Sequence, residues 1–593
     1  MKEKKYNPAS AIGCCFRYAP GAVFVKLLME IINGALVPLM VLLVASFLNS
    51  AVSYAKGEGE FAPLLAAIAW MAAYYAYNQV NQMIVRLLDK KLENALKENL
   101  RPQLIQKQLR TSFALLENPE TADLISRVCS DTEEQMISIL RNGIDMLRLG
   151  IQAFGTLSLL AAHAWWMLPL CMLSAVPILL IAHRGGKAVY LKDAAITKLT
   201  RKQYYLSDIL VGREAAAERT LFGYADCINK DFSAIHLERS NRNTKNLATE
   251  EAAIHACGLI VNALVLLAVF ALLRPVGAHT MSHGLYVSLI GALIGLARIL
   301  TNALSKLMWD IAAHKEYMRD FTRFFALPEA AAEKSEGGKQ ALSFQRLEIR
   351  GLRFRYTPDS PYVLKGVNLV IEKEKAYSLI GKNGAGKSTL TKILLGLYRD
   401  FEGEILLNGA DIAQYSTDAQ RRIFSIVYQD FAKYQIPFRD NITLGNAQGD
   451  FDVALRLAEL AQVAAKLPQQ ENTPLGRIYE NSAELSGGEW QKAAIARSLY
   501  ANTPFMILDE PTASLSPMAE SKLYKRFAEI TKEKTSLLIS HRLGSAKLSD
   551  LLFVLEDGAI AETGTHDALM AANGVYADMF NNQRSWYDER EKA

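Results

Sequence analysis

The feature that most constrains this chain is the placement of its apolar residues. Six apolar runs lie near 21–48, 61–80, 144–164, 167–183, 252–273 and 284–306. Most approach or exceed the roughly 20 residues that cross a bilayer's hydrocarbon core as a helix; the fourth is the shortest. From about residue 341 onward the chain changes character and reads as a soluble α/β domain. A half-hydrophobic composition with 21% charged residues excludes a disordered chain and a fibrous repeat. The apolar runs exclude a purely soluble enzyme.

The loops set the topology. Arg86, Lys90, Lys91, Lys97, Arg101, Lys107 and Arg110 follow the second run, and Arg184, Lys187, Lys192, Lys198, Arg201 and Lys202 follow the fourth. The other three connections hold only Lys56 and Arg274. Lys and Arg collect on the cytoplasmic side, so the two long loops, both termini and the soluble domain are expected there. The net charge of +5 gives no argument for nucleic acid as a partner. The six cysteines all lie in the first half and form no C-x-x-C pair, which reads as reduced thiols. No apolar stretch with a cleavage site follows MKEKKYNPAS at once, so no removable signal peptide is expected. Inside the spans, Lys26 and Glu30 are spaced to pair with each other. Arg298, near the middle of the sixth span, calls for a cavity, an acidic cargo group or a carboxylate partner such as Glu30.

The soluble half carries phosphate chemistry. LEIRGLRFRY (347–356) alternates as a strand, and KAYSLI (375–380), a further expected strand, runs into GKNGAGKST, Gly381 to Thr389. This fits G-x-x-x-x-G-K-[ST] between a strand and a helix. There the glycines let backbone N–H groups close around phosphates, Lys387 reaches the β- and γ-phosphates, and Ser388 holds Mg²⁺. FMILDE (505–510) is a buried strand ending in two carboxylates. Asp509 suits Mg²⁺ through water and Glu510 suits polarisation of the attacking water. LSGGEWQ (485–491) opens a helix. Ser486 and Glu489 form a capping-box pattern, and the same Ser-Gly-Gly corner presents N–H groups able to grip a second phosphate.

The order GKNGAGKST, LSGGEWQ, FMILDE, His541 resembles the nucleotide-binding domain of ABC transporters. Behind six spans with long cytoplasmic extensions, it is similar to the exporter-type half-transporter of the type IV fold. The resemblance implies an all-α six-helix transmembrane domain (1–325), a linker (326–342) and an α/β P-loop NTPase, the ABC ATPase domain (343–593). It implies ATP and Mg²⁺ as ligands, and a second half-transporter chain as partner. In a head-to-tail dimer, Ser486, Gly487 and Gly488 would face the nucleotide of the partner. It further implies that Tyr356 stacks on adenine, that Asn383, Gly384, Ala385 and Gly386 line the phosphate loop, that Gln429 senses Mg²⁺ and the γ-phosphate, and that His541 contacts the γ-phosphate. ENPETADLISRV (117–128) and GREAAAERTLFGYAD (212–226) look like the two cytoplasmic docking segments. Ser516 stands where the family carries an aspartate. The function implied is ATP-driven export by alternating access. Siderophore-type import on the same fold, a non-transporting regulatory ATPase and an ATP-gated pore are the alternatives, and the cargo is not legible.

Overall fold

A computed structural model describes residues 5–169, 172–173, 196, 199–213, 215–277, 281–329, 343–415, 419–420, 422–444, 449–510, 534–540 and 543–588. The chain divides into two compact units. One comprises Met1–Thr111 and Leu116–Glu329; the other comprises Ala330–Ala593 and takes in Ser112–Leu115.

The first unit is helical. A short α1 (Pro8–Tyr18) is followed by α2 (Pro20–Ala55), α3 (Phe61–Asn99), α4 (Thr132–Ala164), α5 (Ala225–Ala271), α6 (His283–Arg298) and α7 (Ser305–Ala326). Among the described residues, four stretches are long and apolar enough to cross a membrane: Pro20–Ala55, Thr132–Met167, Gly258–Gly277 and His283–Thr301. The expected span at 61–80 is helical but does not meet that standard. Trp70, Tyr74, Tyr75 and Tyr77 dilute its aliphatic character. The expected span at 167–183 lies largely outside the described residues.

Small residues set the helix spacing. A Cβ on Gly155 would fall 2.5 Å from the Pro38 ring, and one on Gly34 would fall 2.9 Å from the Arg148 carbonyl oxygen. Helices α2 and α4 therefore approach closely, the packing that glycine permits between apolar helices. Gly284 plays the same part against α2. Its backbone N–H donates to Asn49 Oδ1 at 2.9 Å, and Asn49 Nδ2 donates to Ser282 Oγ at 3.1 Å.

The charges inside these helices pair across helices. Lys26, almost wholly buried, bonds Asp89 on α3, and Arg141 lies 3.6 Å from the same carboxylate. Glu30 takes Arg148 of α4 at 3.2 Å, and Arg148 also holds Asp145 at 3.0 Å. The expected pairing of Lys26 with Glu30 is thus replaced. Each charge finds a better-placed counter-ion on a neighbouring helix than one turn along its own. Arg298 does not pair with Glu30 either. It is exposed, and a π-helical turn, Ile299–Leu304, follows it directly.

The second unit is built on two sheets. A four-stranded antiparallel sheet has the order β2-β1-β4-β5, with β1 Arg346–Phe354, β2 Leu364–Glu372, β4 Glu402–Leu407 and β5 Ala410–Asp411. A six-stranded sheet has the order β10-β9-β3-β8-β7-β6, with β3 Ala376–Ile380, β6 Phe424–Val427, β7 Phe505–Asp509, β8 Thr535–Ser540, β9 Leu551–Glu556 and β10 Ala559–Gly564. Its inner pairs β3–β8, β3–β9, β7–β8 and β6–β7 are parallel. Every residue of β7 and β8 is buried. That is the continuous burial expected of parallel strands covered on both faces. Two further helices matter for function: α8 (Lys387–Leu394) and α9 (Gly487–Tyr500).

The first candidate docking segment, 117–128, belongs to the first unit. It forms the helix Pro119–Cys129, which buries Thr121, Leu124, Ile125 and Val128, while Ser112–Leu115 group with the soluble unit. Phe113 sets its ring edge-on to Tyr398 at 5.9 Å. The second segment, 212–226, contains the helix Ala216–Phe222, which buries none of its residues and leaves Leu221 and Phe222 exposed.

Candidate functional site: a phosphate-binding cleft

The site forms where parallel strands end, the position at which open α/β sheets bind ligands. Strand β3 delivers the loop Gly381–Gly386 into α8. Two glycines make its path possible. Gly384 and Gly386 have φ of +82° and +108°, a region that L side chains rarely adopt. A Cβ on Gly386 would also meet Leu364 at 2.7 Å. The loop ends on the first turn of α8, whose free N–H groups and dipole favour an anion.

A cleft of about 550 Å³ opens there, lined by Asn383, Gly384, Gly386, Lys387, Ser388, Thr389, Gln429, Glu510 and Val363. Eight of these nine are residues named from the sequence. Val363 is the ninth; an aliphatic residue ahead of a strand carries no chemical signal in sequence. Ala385 is buried beneath the loop, and Gly381 packs against the Leu555 carbonyl.

Lys387 Nζ donates to the Gly381 carbonyl at 2.7 Å and the Lys382 carbonyl at 3.1 Å. The ammonium is therefore held over its own loop. Burial pulls its pKa below the ordinary lysine value, partly offset by Glu510 and Asp509. Asp509 ends β7 and is 8% exposed. Burial first, and the neighbouring Glu510 second, push its carboxyl up to about 6, against the opposing pull of Lys387. Glu510 leaves the strand with φ of +48°, its backbone N–H donating to the Ile539 carbonyl at 2.9 Å. A non-glycine residue held in that region is strained, and such strain concentrates at functional sites.

Tyr356 stands at the rim. Its hydroxyl shares a hydrogen bond of 2.8 Å with Thr389 Oγ1, and its ring meets Phe354 and Tyr398 edge-on at 5.2 and 5.4 Å. Ser486, Gly487 and Gly488 are not among the residues lining this cleft. Ser486 and Glu489 cap α9 reciprocally: Ser486 N–H donates to Glu489 Oε2 at 2.8 Å and Glu489 N–H to Ser486 Oγ at 3.3 Å. A Cβ on Gly487 or Gly488 would meet nothing within 4 Å. The capping function and an open backbone face coexist on the same corner. His541 and Ser516 lie outside the described residues.

A strand–glycine loop–helix cradle, a buried lysine and a strained carboxylate just past the end of β7, two strands along the same sheet, define a nucleotide triphosphatase, and its attachment to apolar helices makes it a membrane ATPase. Residues 364–513 match the ABC transporter family. Subtilin transport ATP-binding protein SpaT of Bacillus subtilis is 25% identical over 575 residues, covering 94% of this chain and 91% of the relative. An ATP-dependent lipid A-core flippase of Chromohalobacter salexigens is 28% identical over 503 residues, covering 82% of this chain and 83% of the relative. Among solved structures, a bacterial Atm1-family ABC exporter with ATP bound is similar with a TM-score of 0.77 at 22% identity, covering 95% of this chain and 99% of that one. That likeness speaks to fold. The chain is an ABC transporter of exporter type: a multi-pass membrane protein whose ATP hydrolysis drives transport.

Proposed function

We propose that two such half-transporters, each a six-helix membrane domain (1–325), a linker (326–342) and a cytoplasmic cassette (343–593), form one exporter at the cell membrane. The observation that carries this reading is the split character of the site. The cleft gathers Asn383, Gly384, Gly386 to Thr389, Gln429 and Glu510, while the corner Ser486–Gly488 presents an uncovered backbone elsewhere. A second chain laid head to tail supplies its own corner to this cleft.

In that dimer the ATP phosphates lie in the loop 381–389, with Lys387 on the β- and γ-phosphates and Tyr356 stacked on the adenine. Ser388, Gln429 and, through water, Asp509 would hold Mg²⁺. The buried, protonation-prone carboxyl of Asp509 suits a cation that compensates its burial. Bound Mg²⁺ would neutralise phosphate charge. Glu510 polarises the attacking water, and His541 contacts the γ-phosphate from the end of β8. Closure on ATP biases the membrane helices toward an outward-open state, and hydrolysis resets them. The relatives' names give subtilin and lipid A-core as their cargo, and the apolar spans of this chain suit a lipid-like, peptide or hydrophobic drug cargo.

Reconstituted proteoliposomes test the reading. Wild-type chain should hydrolyse ATP with a steep dependence on protein concentration, as a dimeric site requires. Inverted vesicles should accumulate the cargo when ATP is outside. Full-speed hydrolysis by isolated single chains would overturn the dimer, and ATP-driven depletion of the vesicle lumen would reverse the direction.

A further inference from the structure

Tyr356 lies in a bend two residues past β1, beyond the last paired residue of that strand. No sheet hydrogen bond fixes it, so the direction of its ring rests on side-chain contacts. One is the hydroxyl bond to Thr389 on α8. The others are edge-on contacts with Phe354 and Tyr398, and those two rings also meet each other edge-on at 5.1 Å. Edge-to-face pairs at such spacings are favoured by the ring quadrupole. Three rings, each edge-on to the other two, leave Tyr356 little room to turn while Tyr398 stays in place.

Tyr398 is buried, and it meets a fourth ring. Phe113 stands edge-on to it at 5.9 Å. The Lys392 ammonium lies 5.4 Å from the centre of the Phe113 ring and 5.9 Å from that of Tyr398, close enough for a cation to be drawn to both. Lys392 is one turn beyond Thr389 on α8. The phosphate-binding helix therefore grips the aromatic group at two points.

Phe113 comes from a distant part of the chain. It opens the single helical turn Phe113–Leu116. The chain leaves the first unit after Thr111 and returns to it at Leu116, and Ser112–Leu115 count with the second unit. There Phe113 and Ala114 pack on the core formed around both sheets. Phe113 is only half-buried, so its main specific partners are the Tyr398 ring and the Lys392 ammonium.

We propose that Phe113 is a positioning residue for the nucleotide base: by bracing Tyr398 it holds the Tyr356 ring in the orientation that stacks on adenine. Part of the base site is then supplied by chain outside the cassette 343–593. The proposal rests on the stacking role of Tyr356 and adds to it the residue that sets the stack.

Steady-state ATPase of full-length protein in detergent tests it, with inorganic tripolyphosphate as a competitor that has phosphates but no base. Phe113→Ala should raise KM for ATP about 2–10-fold, the range for one aromatic pair. Its kcat and the inhibition constant of tripolyphosphate should stay at wild-type values, the latter also showing that the phosphate loop is folded. Phe113→Tyr keeps the ring and should restore the wild-type KM. In a Tyr356→Ala chain the platform is gone, and adding Phe113→Ala should change nothing further. Unchanged KM in Phe113→Ala would overturn the proposal. So would tripolyphosphate binding that weakens in step with ATP, because Phe113 would then act through Lys392 on the phosphate loop. So would a full Phe113→Ala effect persisting in the Tyr356→Ala chain. If Tyr356→Ala alone leaves KM unchanged, the stacking reading fails and takes this proposal with it. A raised KM in Tyr356→Ala beside a wild-type KM in Phe113→Ala sinks this proposal alone.

Discussion

Tyr356 and Thr389 are joined hydroxyl to hydroxyl at 2.8 Å. The bond ties Tyr356, two residues past β1, to the first turn of the helix α8, so the proposed base platform is joined directly to the phosphate loop's helix. Tyr356 as a whole remains 46% exposed, which leaves room for a base beside it. Tyr356→Phe keeps the ring and loses only the tie. It should weaken ATP binding by about 2–10-fold, the worth of one net hydrogen bond. Tyr356→Ala removes the platform and should cost roughly 1–3 kcal/mol, the worth of base–aromatic stacking. Fluorescent nucleotide titration of both variants decides. Unchanged affinity in Tyr356→Ala would remove the residue from the site.

Glu510 combines a strained backbone, φ +48°, with a place on the cleft wall. Glutamine has the same shape and the same strain but cannot polarise water as a carboxylate does. Glu510→Gln should lower turnover by about 10²–10⁴-fold, the range for loss of a general base, with ATP affinity kept. Steady-state phosphate release alongside nucleotide titration gives both numbers. Wild-type turnover in this variant would end its assignment as the base.

Lys387 is held by two carbonyls of its own loop, so its ammonium sits in place before any phosphate arrives. Lys387→Ala removes a charge-assisted contact worth roughly 1.5–3 kcal/mol. ATP affinity should fall by at least about tenfold, measured by calorimetry. Because the lysine also buttresses Gly381, thermal unfolding of the same variant separates a loosened loop from a lost phosphate contact.

Much of this site was legible in sequence because its chemistry is local. A glycine at a fixed position, a lysine after it and two acids after a buried strand declare themselves by spacing. Tyr398, which braces Tyr356, and Val363 did not. Both act through packing across distant strands, which no local pattern encodes. The membrane half shows the same division. Four of the six expected spans followed from apolar length alone. The partners of Lys26 and Glu30 did not, because a helix offers each residue near neighbours along its own axis while the actual counter-ions, Asp89 and Arg148, come from other helices. Amphipathic periodicity marks Pro119–Cys129 as a helix but does not say what its apolar face covers.

The Lys26–Asp89 pair gives an asymmetric prediction. The Lys26 side chain is 4% exposed and that of Asp89 22%, and Asp89 has a second cation, Arg141, at 3.6 Å. Asp89→Asn strands a buried ammonium and should destabilise the membrane unit by about 3–5 kcal/mol. Lys26→Met leaves Asp89 with Arg141 and fills the vacated space with an apolar chain, so it should cost clearly less. Thermal unfolding in detergent, followed by a double-mutant cycle, measures the difference. Equal losses would mean that Asp89 depends on Lys26 as much as the reverse.

The last prediction concerns pH. His566 Nδ1 lies 2.7 Å from the Tyr576 hydroxyl, and the Phe580 ring packs on it at 5.0 Å. Burial, and then the Lys547 ammonium, lower its pKa below the ordinary histidine value, while Asp567 pulls the other way. A base whose pKa is lowered by folding is held neutral in the native state. The unfolded chain therefore takes up the proton first as pH falls. The stability contributed by this contact is complete above the ordinary value of about 6.5 and is lost progressively as pH drops from there toward the lowered native pKa. Thermal unfolding of wild-type chain and of His566→Gln, compared between pH 7.5 and 5.5, isolates the histidine from other acid-sensitive groups. The melting temperature of wild-type should fall more steeply with acid than that of the variant. Parallel slopes would show that His566 carries no proton linkage to folding.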